Sequence, residues 1–156
     1  MKVNAVVSQG HGVASGKAND PRYPRGTIKA QCEHFLKKGL DLSQYFPGTI
    51  NLDIAPYFFK IIKPKYFLEN ISWSEFIPPE NFYFFDVSLQ LNLNTYKGLI
   101  YMPDPVTKPE HFQNPTILEI LLPKIEGLKY GDAVIVDVDE EQIELISKGE
   151  KNRKNN

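Results

Sequence analysis

A glycine-rich segment follows the first apolar run of the chain and contains residue types that can bind phosphate. It reads Gln9-Gly10-His11-Gly12-Val13-Ala14-Ser15-Gly16-Lys17. Glycines let backbone N–H groups approach a phosphate closely and form a concave anion site, and Lys17 adds a positive charge. The segment matches neither the P-loop motif nor the dinucleotide-binding glycine fingerprint, so a plain structural turn is the alternative.

Thr49 and Asn51 form a second candidate site, within Pro47-Gly48-Thr49-Ile50-Asn51-Leu52. Polar and apolar residues alternate here, which predicts a strand, and in a strand these two side chains point to the same face. A hydroxyl and a carboxamide oxygen side by side can hold Mg²⁺, which would keep several waters and share phosphate oxygens with a nucleotide. The alternative is an ordinary solvated strand face.

Glu119 is the third candidate, because it interrupts the apolar run Ile117-Leu118-Glu119-Ile120-Leu121-Leu122. A carboxylate in such a strand costs free energy unless it meets a partner or water. It can accept hydrogen bonds from the ring of a ligand. The alternative is a position at the rim of the fold that faces solvent.

The three histidines and the single cysteine give weaker evidence for a functional site than the three candidates above. His11, His34 and His111 have no metal-ligand spacing, so no zinc site is predicted. Cys32 is the only cysteine, which excludes a disulfide within the chain and predicts a small buried side chain on a helix.

One helix and several short strands must position these residues. Thr27 is predicted to cap a helix over 28–38 that ends at Gly39, with Ile28, Cys32, Phe35 and Leu36 on its apolar face. Residues 55–81 are aromatic and broken by prolines, and their pattern predicts no clear element. The predicted strands cover residues 3–8, 49–54, 82–93, 99–102, 117–122 and 133–138, which favours a barrel or a compact α+β fold.

The bulk composition is that of a globular protein of 156 residues with a formal net charge of −1. We predict a single domain over residues 1–147 and a polar, flexible tail over 148–156. A chain this close to neutral lacks the overall positive charge that favours binding to nucleic acid or to an acidic membrane. It has no apolar stretch of membrane-span length and no signal-peptide core, so the cytoplasm is the expected compartment.

The order of the motifs is more informative than any one of them. A Val-Val-Ser strand enters the glycine-rich loop, and a helix rich in Lys, Phe and Leu precedes Phe46-Pro47-Gly48-Thr49-Ile50-Asn51-Leu52. From Val3 to Val138 this order resembles the archaeal-type CTP-dependent riboflavin kinases, whose fold is a six-stranded cradle-loop barrel. The later motifs are Gly98-Leu99-Ile100-Tyr101-Met102-Pro103, His111, Leu118-Glu119-Ile120-Leu121-Leu122-Pro123 and Gly127-Leu128-Lys129-Tyr130-Gly131-Asp132.

The resemblance implies CTP-dependent transfer of phosphate to riboflavin, giving FMN. Thr49 and Asn51 match the family's Mg²⁺ ligands, Glu119 matches a carboxylate that hydrogen-bonds the flavin ring, and Thr107 is aligned with a threonine on the flavin's other side. The expected partners are a nucleotide and a flavin-like small molecule, with neither nucleic acid nor membrane. The nucleotide phosphates would lie in the glycine-rich loop, at Gly10, His11, Gly12 and Lys17.

Two departures from the family pattern keep other functions open. The loop Ser8-Gln9-Gly10-His11-Gly12-Val13 has fewer glycines than the family's Ser-Gly-Leu-Gly-Glu-Gly, and the segment after Pro123 is several residues shorter. That segment helps the family hold the cytidine nucleotide. A barrel that binds a small molecule or partner without phosphoryl transfer is therefore the main alternative. A kinase for a sugar or another alcohol, using a different nucleotide, is the third hypothesis.

Overall fold

The computed structural model describes residues 1–8, 26–107 and 115–147. Within these residues the fold is mainly β with one helix, α1 (Thr27–Lys37), as the sequence predicts. The strands, in chain order, are β1 (Lys2–Ser8), β2 (Ile50–Asp53), β3 (Tyr57–Ile61), β4 (Tyr66–Ile71), β5 (Glu80–Leu91), β6 (Asn94–Pro103), β7 (Ile117–Leu121), β8 (Ala133–Val138) and β9 (Ile143–Ser147).

Seven of these strands form one antiparallel sheet that closes into a ring. Its order is β4-β5-β6-β7-β2-β1-β8, and β8 pairs again with β5. The long strand β5 makes this possible, because its first half pairs with β4 and its second half with β8, through Val87↔Val138 and Leu89↔Val136. Six strands thus complete the ring, and β4 extends it at one end.

Alternation along the strands separates two apolar clusters on opposite faces of this sheet. Val3, Ala5 and Val7 of β1 are buried while their neighbours are exposed, as a half-buried strand requires. Together with Leu52, Ile120 and Val136 they belong to the cluster inside the ring, which we call the inner core. The second cluster lies on the outer face, where α1 packs.

Helix α1 covers the outer face through aromatic contacts. The Phe35 ring meets Phe82 and Phe84 of β5 edge-on, with ring centroids 4.9 and 5.4 Å apart. The predicted apolar face is partly wrong, because Leu36 is 57 % exposed and Gln31 is buried in its place. Cys32 is only half-buried.

The structure confirms the predicted C-terminal end of α1 but not its predicted N-cap. Gly26 is the N-cap, with no side-chain capping bond, so the predicted cap at Thr27 is wrong. Gly39 ends the helix as predicted, with φ at 95°. Its N–H donates to the Leu36 carbonyl and that of Leu40 to the Phe35 carbonyl, which satisfies the last helical carbonyls.

The sequence analysis does not predict three of the strands. β3 and β4 lie in the aromatic segment 55–81, and β9 follows the last predicted strand. β3 pairs with β9 in a separate two-stranded sheet, and its Tyr57 and Phe59 pack against the inner core. The predicted strand 82–93 ends early, because Asn92 has φ at 56° and begins the turn into β6.

No helix among residues 1–8, 26–107 and 115–147 combines the length and the apolar character that a membrane crossing needs.

Close packing of β6 against β7 predicts that Gly98→Ala destabilises the protein. A Cβ at Gly98 would lie 2.2 Å from the carbonyl oxygen of Leu121 and 2.8 Å from Cδ2 of Leu122. We expect the free energy of unfolding to fall by about 1–3 kcal/mol, measured by urea denaturation. Lys97→Ala, at the exposed neighbouring position, is the matched control. An unchanged urea midpoint for Gly98→Ala would show that β6 and β7 accommodate the added methyl group without loss of stability.

Candidate functional site

The structure brings together three residues that the sequence assigns to two different sites. β2 and β7 are neighbours, and Asn51 lies directly opposite Glu119, so their side chains share one face of the sheet. Thr49, just before β2, donates a hydrogen bond from Oγ1 to Oε1 of Glu119, over 3.2 Å. The predicted metal ligands and the predicted substrate ligand therefore form one cluster.

This cluster is part of a polar row that crosses four strands on the outer face. Ser8, at the end of β1, lies opposite Asn51, and its hydroxyl donates to the Asn51 carbonyl oxygen over 3.5 Å. On the other side, Ile100 pairs with Ile120, and one step further this antiparallel register places Tyr101 opposite Glu119. We call Ser8, Asn51, Glu119 and Tyr101 the polar row.

Exposure changes along the polar row. Ser8, Asn51 and Glu119 are half-buried, as is Thr49 beside them, whereas Tyr101 is buried under α1. One end of the row is therefore open to a ligand or to water, and the other end belongs to the packed interface between helix and sheet. Ser8, at the open end, directly precedes the predicted phosphate loop in the sequence.

A buried hydrogen bond ties α1 to the closed end of the row. The Tyr101 hydroxyl donates to Oε1 of Gln31 over 2.8 Å, and both side chains are almost fully buried. Burial raises the pKa of the Tyr101 hydroxyl well above its ordinary value, and the negative charge of Glu119 adds to the rise. Tyr101 thus stays neutral and serves as a donor.

Thr107, the other predicted flavin contact, lies in the turn after β6. Its Oγ1 accepts a hydrogen bond from the backbone N–H of Asn81 over 2.9 Å and donates to the Asp104 carbonyl oxygen over 3.2 Å. These contacts hold the turn together, so the structure gives this hydroxyl a local structural task. Its predicted contact with a flavin remains a prediction.

The predicted phosphate loop lies outside the described residues. This applies to Gly10, His11, Gly12 and Lys17, to His111, and to the predicted tail over 148–156. Their predicted roles are therefore carried forward as predictions.

The donors in the cluster suit a hard cation. Thr49, Asn51 and Glu119 offer a hydroxyl, a carboxamide and a carboxylate oxygen, and Mg²⁺ prefers oxygen ligands that leave room for water. Among the described residues, no group of three or more His, Cys, Asp or Glu side chains is placed to hold a metal ion. The predicted cation site at Thr49 and Asn51 would combine two neutral oxygens with the nearby Glu119 carboxylate.

A second concavity on the protein is an open groove of about 650 Å³, lined in part by Asp86, Asp137 and Lys97. Asp86 is already held by Lys65, 3.0 Å away, and Asp137 lies 3.3 Å from the N-terminal ammonium of Met1. None of the described residues that the sequence analysis assigns to the metal or the substrate lines this groove. The polar row, which contains two of them, is therefore the better candidate.

Sequence analysis did not identify Ser8, Gln31 and Tyr101 as parts of this site. The signal for Gln31 was its spacing, three residues after Ile28 and four before Phe35, which places it on the buried face of α1. Tyr101 alternates with Ile100 of the inner core and therefore faces outward with Glu119. The pairing of distant strands, which creates the row, leaves no mark in the local sequence.

Comparison with known proteins adds no relative: no protein-family model and no curated protein matches the chain. The case for a function therefore depends on the geometry of the polar row and of the residues that contact it.

The buried Tyr101 hydroxyl predicts a specific loss of stability at alkaline pH. The folded protein keeps this proton above pH about 10, where an unfolded tyrosine releases it. Stability is therefore complete below pH about 10 and falls as the pH rises above it. In Tyr101→Phe this part of the alkaline slope should vanish, measured by urea unfolding across the alkaline range.

Tyr130→Phe, which removes an exposed hydroxyl, serves as the control and should keep the wild-type slope. In parallel, the tyrosinate absorbance of the folded wild type should show a hydroxyl that titrates later than the others, and Tyr101→Phe should lack this last phase. An identical alkaline slope in wild type and Tyr101→Phe would contradict the assignment.

Proposed function

We propose that the protein is a riboflavin-kinase-like phosphotransferase that uses CTP and Mg²⁺ to convert riboflavin to FMN, and that its ring is the cradle-loop barrel of that family. The observation that carries the proposal is the contact between Thr49 and Glu119. The family resemblance assigns Thr49 to the metal and Glu119 to the substrate. The two residues are 70 positions apart in the sequence, and the fold brings them into contact.

Such a contact is what phosphoryl transfer needs. Catalysis in this reaction is mostly positioning and neutralisation of charge, and the attacking oxygen must reach the phosphorus in line, within about 3–3.5 Å. The metal and the substrate must therefore share one surface of the fold, with the terminal ribityl hydroxyl of riboflavin reaching toward the metal. Asn51 and Glu119, directly opposite each other on paired strands, would put the proposed metal and substrate contacts on one face of the sheet.

Each residue then has a defined task. Thr49 and Asn51 would hold Mg²⁺ through two neutral oxygens, and the ion would neutralise the charge that develops on the transferred phosphate. Glu119 accepts a hydrogen bond from the substrate and fixes its orientation. The backbone at Gly10 and Gly12, with Lys17, is the proposed cradle for the nucleotide phosphates. The oxygen of the substrate hydroxyl would attack the terminal phosphorus of CTP, the bond between that phosphorus and the bridging oxygen of CDP would break, and the hydroxyl proton would be released to solvent.

The second candidate is a binding module that keeps the cradle without phosphoryl transfer. One observation favours it: the short segment after Pro123 is tied to the fold, because Ile125 and Leu128 pack against the inner core. A segment held in this way does not extend to grasp a nucleotide base. A kinase that acts on another alcohol with another nucleotide is the third candidate.

Thermal shift measurements with CTP, ATP, riboflavin and FMN, each with and without Mg²⁺, separate these candidates. A ligand that binds only the folded state stabilises it by RT ln(1 + c/Kd), where c is the free ligand concentration, and so raises the melting temperature. The proposed kinase should respond to CTP only when Mg²⁺ is present, and to riboflavin in either condition. A response to flavins alone would favour the binding module, and a response to ATP in place of CTP would favour the third candidate.

Asn51→Ala is the matched variant for this experiment. It removes one of two protein oxygens from a site that otherwise depends on water, so Mg²⁺-dependent nucleotide binding should be lost while the fold is kept. Titration calorimetry measures the loss, and Asn94→Ala, at an exposed position, is the control. Wild-type nucleotide affinity in Asn51→Ala would remove Thr49 and Asn51 from the proposed site.

Glu119→Gln should weaken riboflavin binding by about 1.5–3 kcal/mol, the contribution of a charge-assisted hydrogen bond, with little change in melting temperature. The substitution keeps the side-chain volume and one acceptor oxygen. Asp53→Asn removes a carboxylate from the same face of β2 and should leave flavin affinity unchanged. A fall in melting temperature with normal flavin affinity would instead show that Glu119 has a purely structural role.

A further inference from the structure

The Thr49 side chain has a hydroxyl with one hydrogen and two lone pairs, and the structure determines where the hydrogen goes. Oγ1 donates to Oε1 of Glu119. The residue is also held by its backbone, since it follows a tight turn in which the Gly48 N–H donates to the Phe46 carbonyl and the Phe46 N–H donates to the Leu122 carbonyl. Its hydroxyl therefore has a fixed position and a fixed donor direction.

We propose that Glu119 is a positioning residue for a divalent cation bound at Thr49 and Asn51, and that it acts through the Thr49 hydroxyl. The inference deepens the proposed function and rests on the cation site proposed there. It gives the carboxylate a second task besides its contact with the substrate, so that one side chain serves both the cation and the substrate.

The physical reason is that the Thr49 hydroxyl can donate its one hydrogen to Glu119 and still offer its lone pairs to a cation. When the hydrogen points to a carboxylate, the lone pairs point away from it and are available to a cation. Donation to an anion also increases the electron density on the oxygen, which makes it a better ligand. Partners of this kind orient metal ligands in many proteins, and their loss weakens metal binding about 10- to 100-fold.

The surroundings of Glu119 favour this arrangement. Its neighbours two positions along β7 are Ile117 and the fully buried Leu121, which offer no polar contact. Across the sheet it faces Asn51 on one side and Tyr101 on the other, and the Tyr101 hydroxyl is turned toward Gln31. The Thr49 hydroxyl, 3.2 Å away, donates to this carboxylate from the turn that precedes β2.

Binding of Mn²⁺ to the protein alone, measured by water-proton relaxation up to millimolar metal, tests the proposal. Glu119→Leu removes the acceptor and should weaken Mn²⁺ binding about 10-fold or more. Glu119→Gln keeps an acceptor oxygen for Thr49 and should weaken binding only about threefold, the effect of losing one nearby charge across water. Asp53→Asn removes a charge from the same face of β2 and calibrates that electrostatic effect.

Three results would overturn the proposal. They are equal losses in Glu119→Leu and Glu119→Gln, a loss in Glu119→Leu no larger than in Asp53→Asn, and a wild type that does not bind Mn²⁺. Circular dichroism and melting temperature verify that each variant is folded, and Glu119→Ala, which also removes the acceptor, replaces Glu119→Leu if that variant does not fold. Because the assay contains neither nucleotide nor flavin, a failure of the kinase proposal leaves this test intact.

Discussion

The pairing of β5 with β8 is the constraint on which the rest of the structure depends. It joins the two ends of a six-stranded sheet, so each alternating strand has one face turned to the inner core. Val87, Leu89, Val136 and Val138 meet at this junction. Once the inner face is assigned, the outer face is assigned with it, and α1 and the polar row both lie there.

The outer face combines apolar packing with polar groups, and each polar group is made tolerable by a particular partner. Burying an unpaired carboxylate or amide is costly, so such groups persist where hydrogen bonds compensate. Tyr101 and Gln31 satisfy each other beneath the helix, and Trp73 donates to the buried Glu80 over 2.8 Å. Glu119 lies at the border of this region, where Thr49 reaches it. The row thus passes from structural pairs to groups that a ligand can reach.

Sequence reasoning identified the strands that carry Asn51 and Glu119, because alternation and an interrupted apolar run are local patterns. It could not show that these strands are neighbours, since pairing between residues about seventy positions apart leaves no local pattern. β3 and β4 were missed for a related reason: their apolar residues do not alternate with polar ones. Tyr57, Phe58 and Phe59 of β3 are all half-buried. β4 carries the exposed Phe67 between half-buried Tyr66 and Leu68. Gln31 was overlooked because a polar residue on a helix is expected to face solvent, and only Tyr101 explains its burial.

The pairing of β1 with β8, through contacts such as Val3↔Val136, also determines the order in which the protein can fold during its synthesis. The first strand leaves the ribosome early, yet its two neighbours in the ring, β2 and β8, are separated from it by very different lengths of chain. β1 can pair with β2 after about fifty residues have been made. Its other edge stays open until β8 emerges, so the nascent chain exposes an unpaired sheet edge while the residues between β2 and β8 are synthesised, when chaperones and aggregation compete for it.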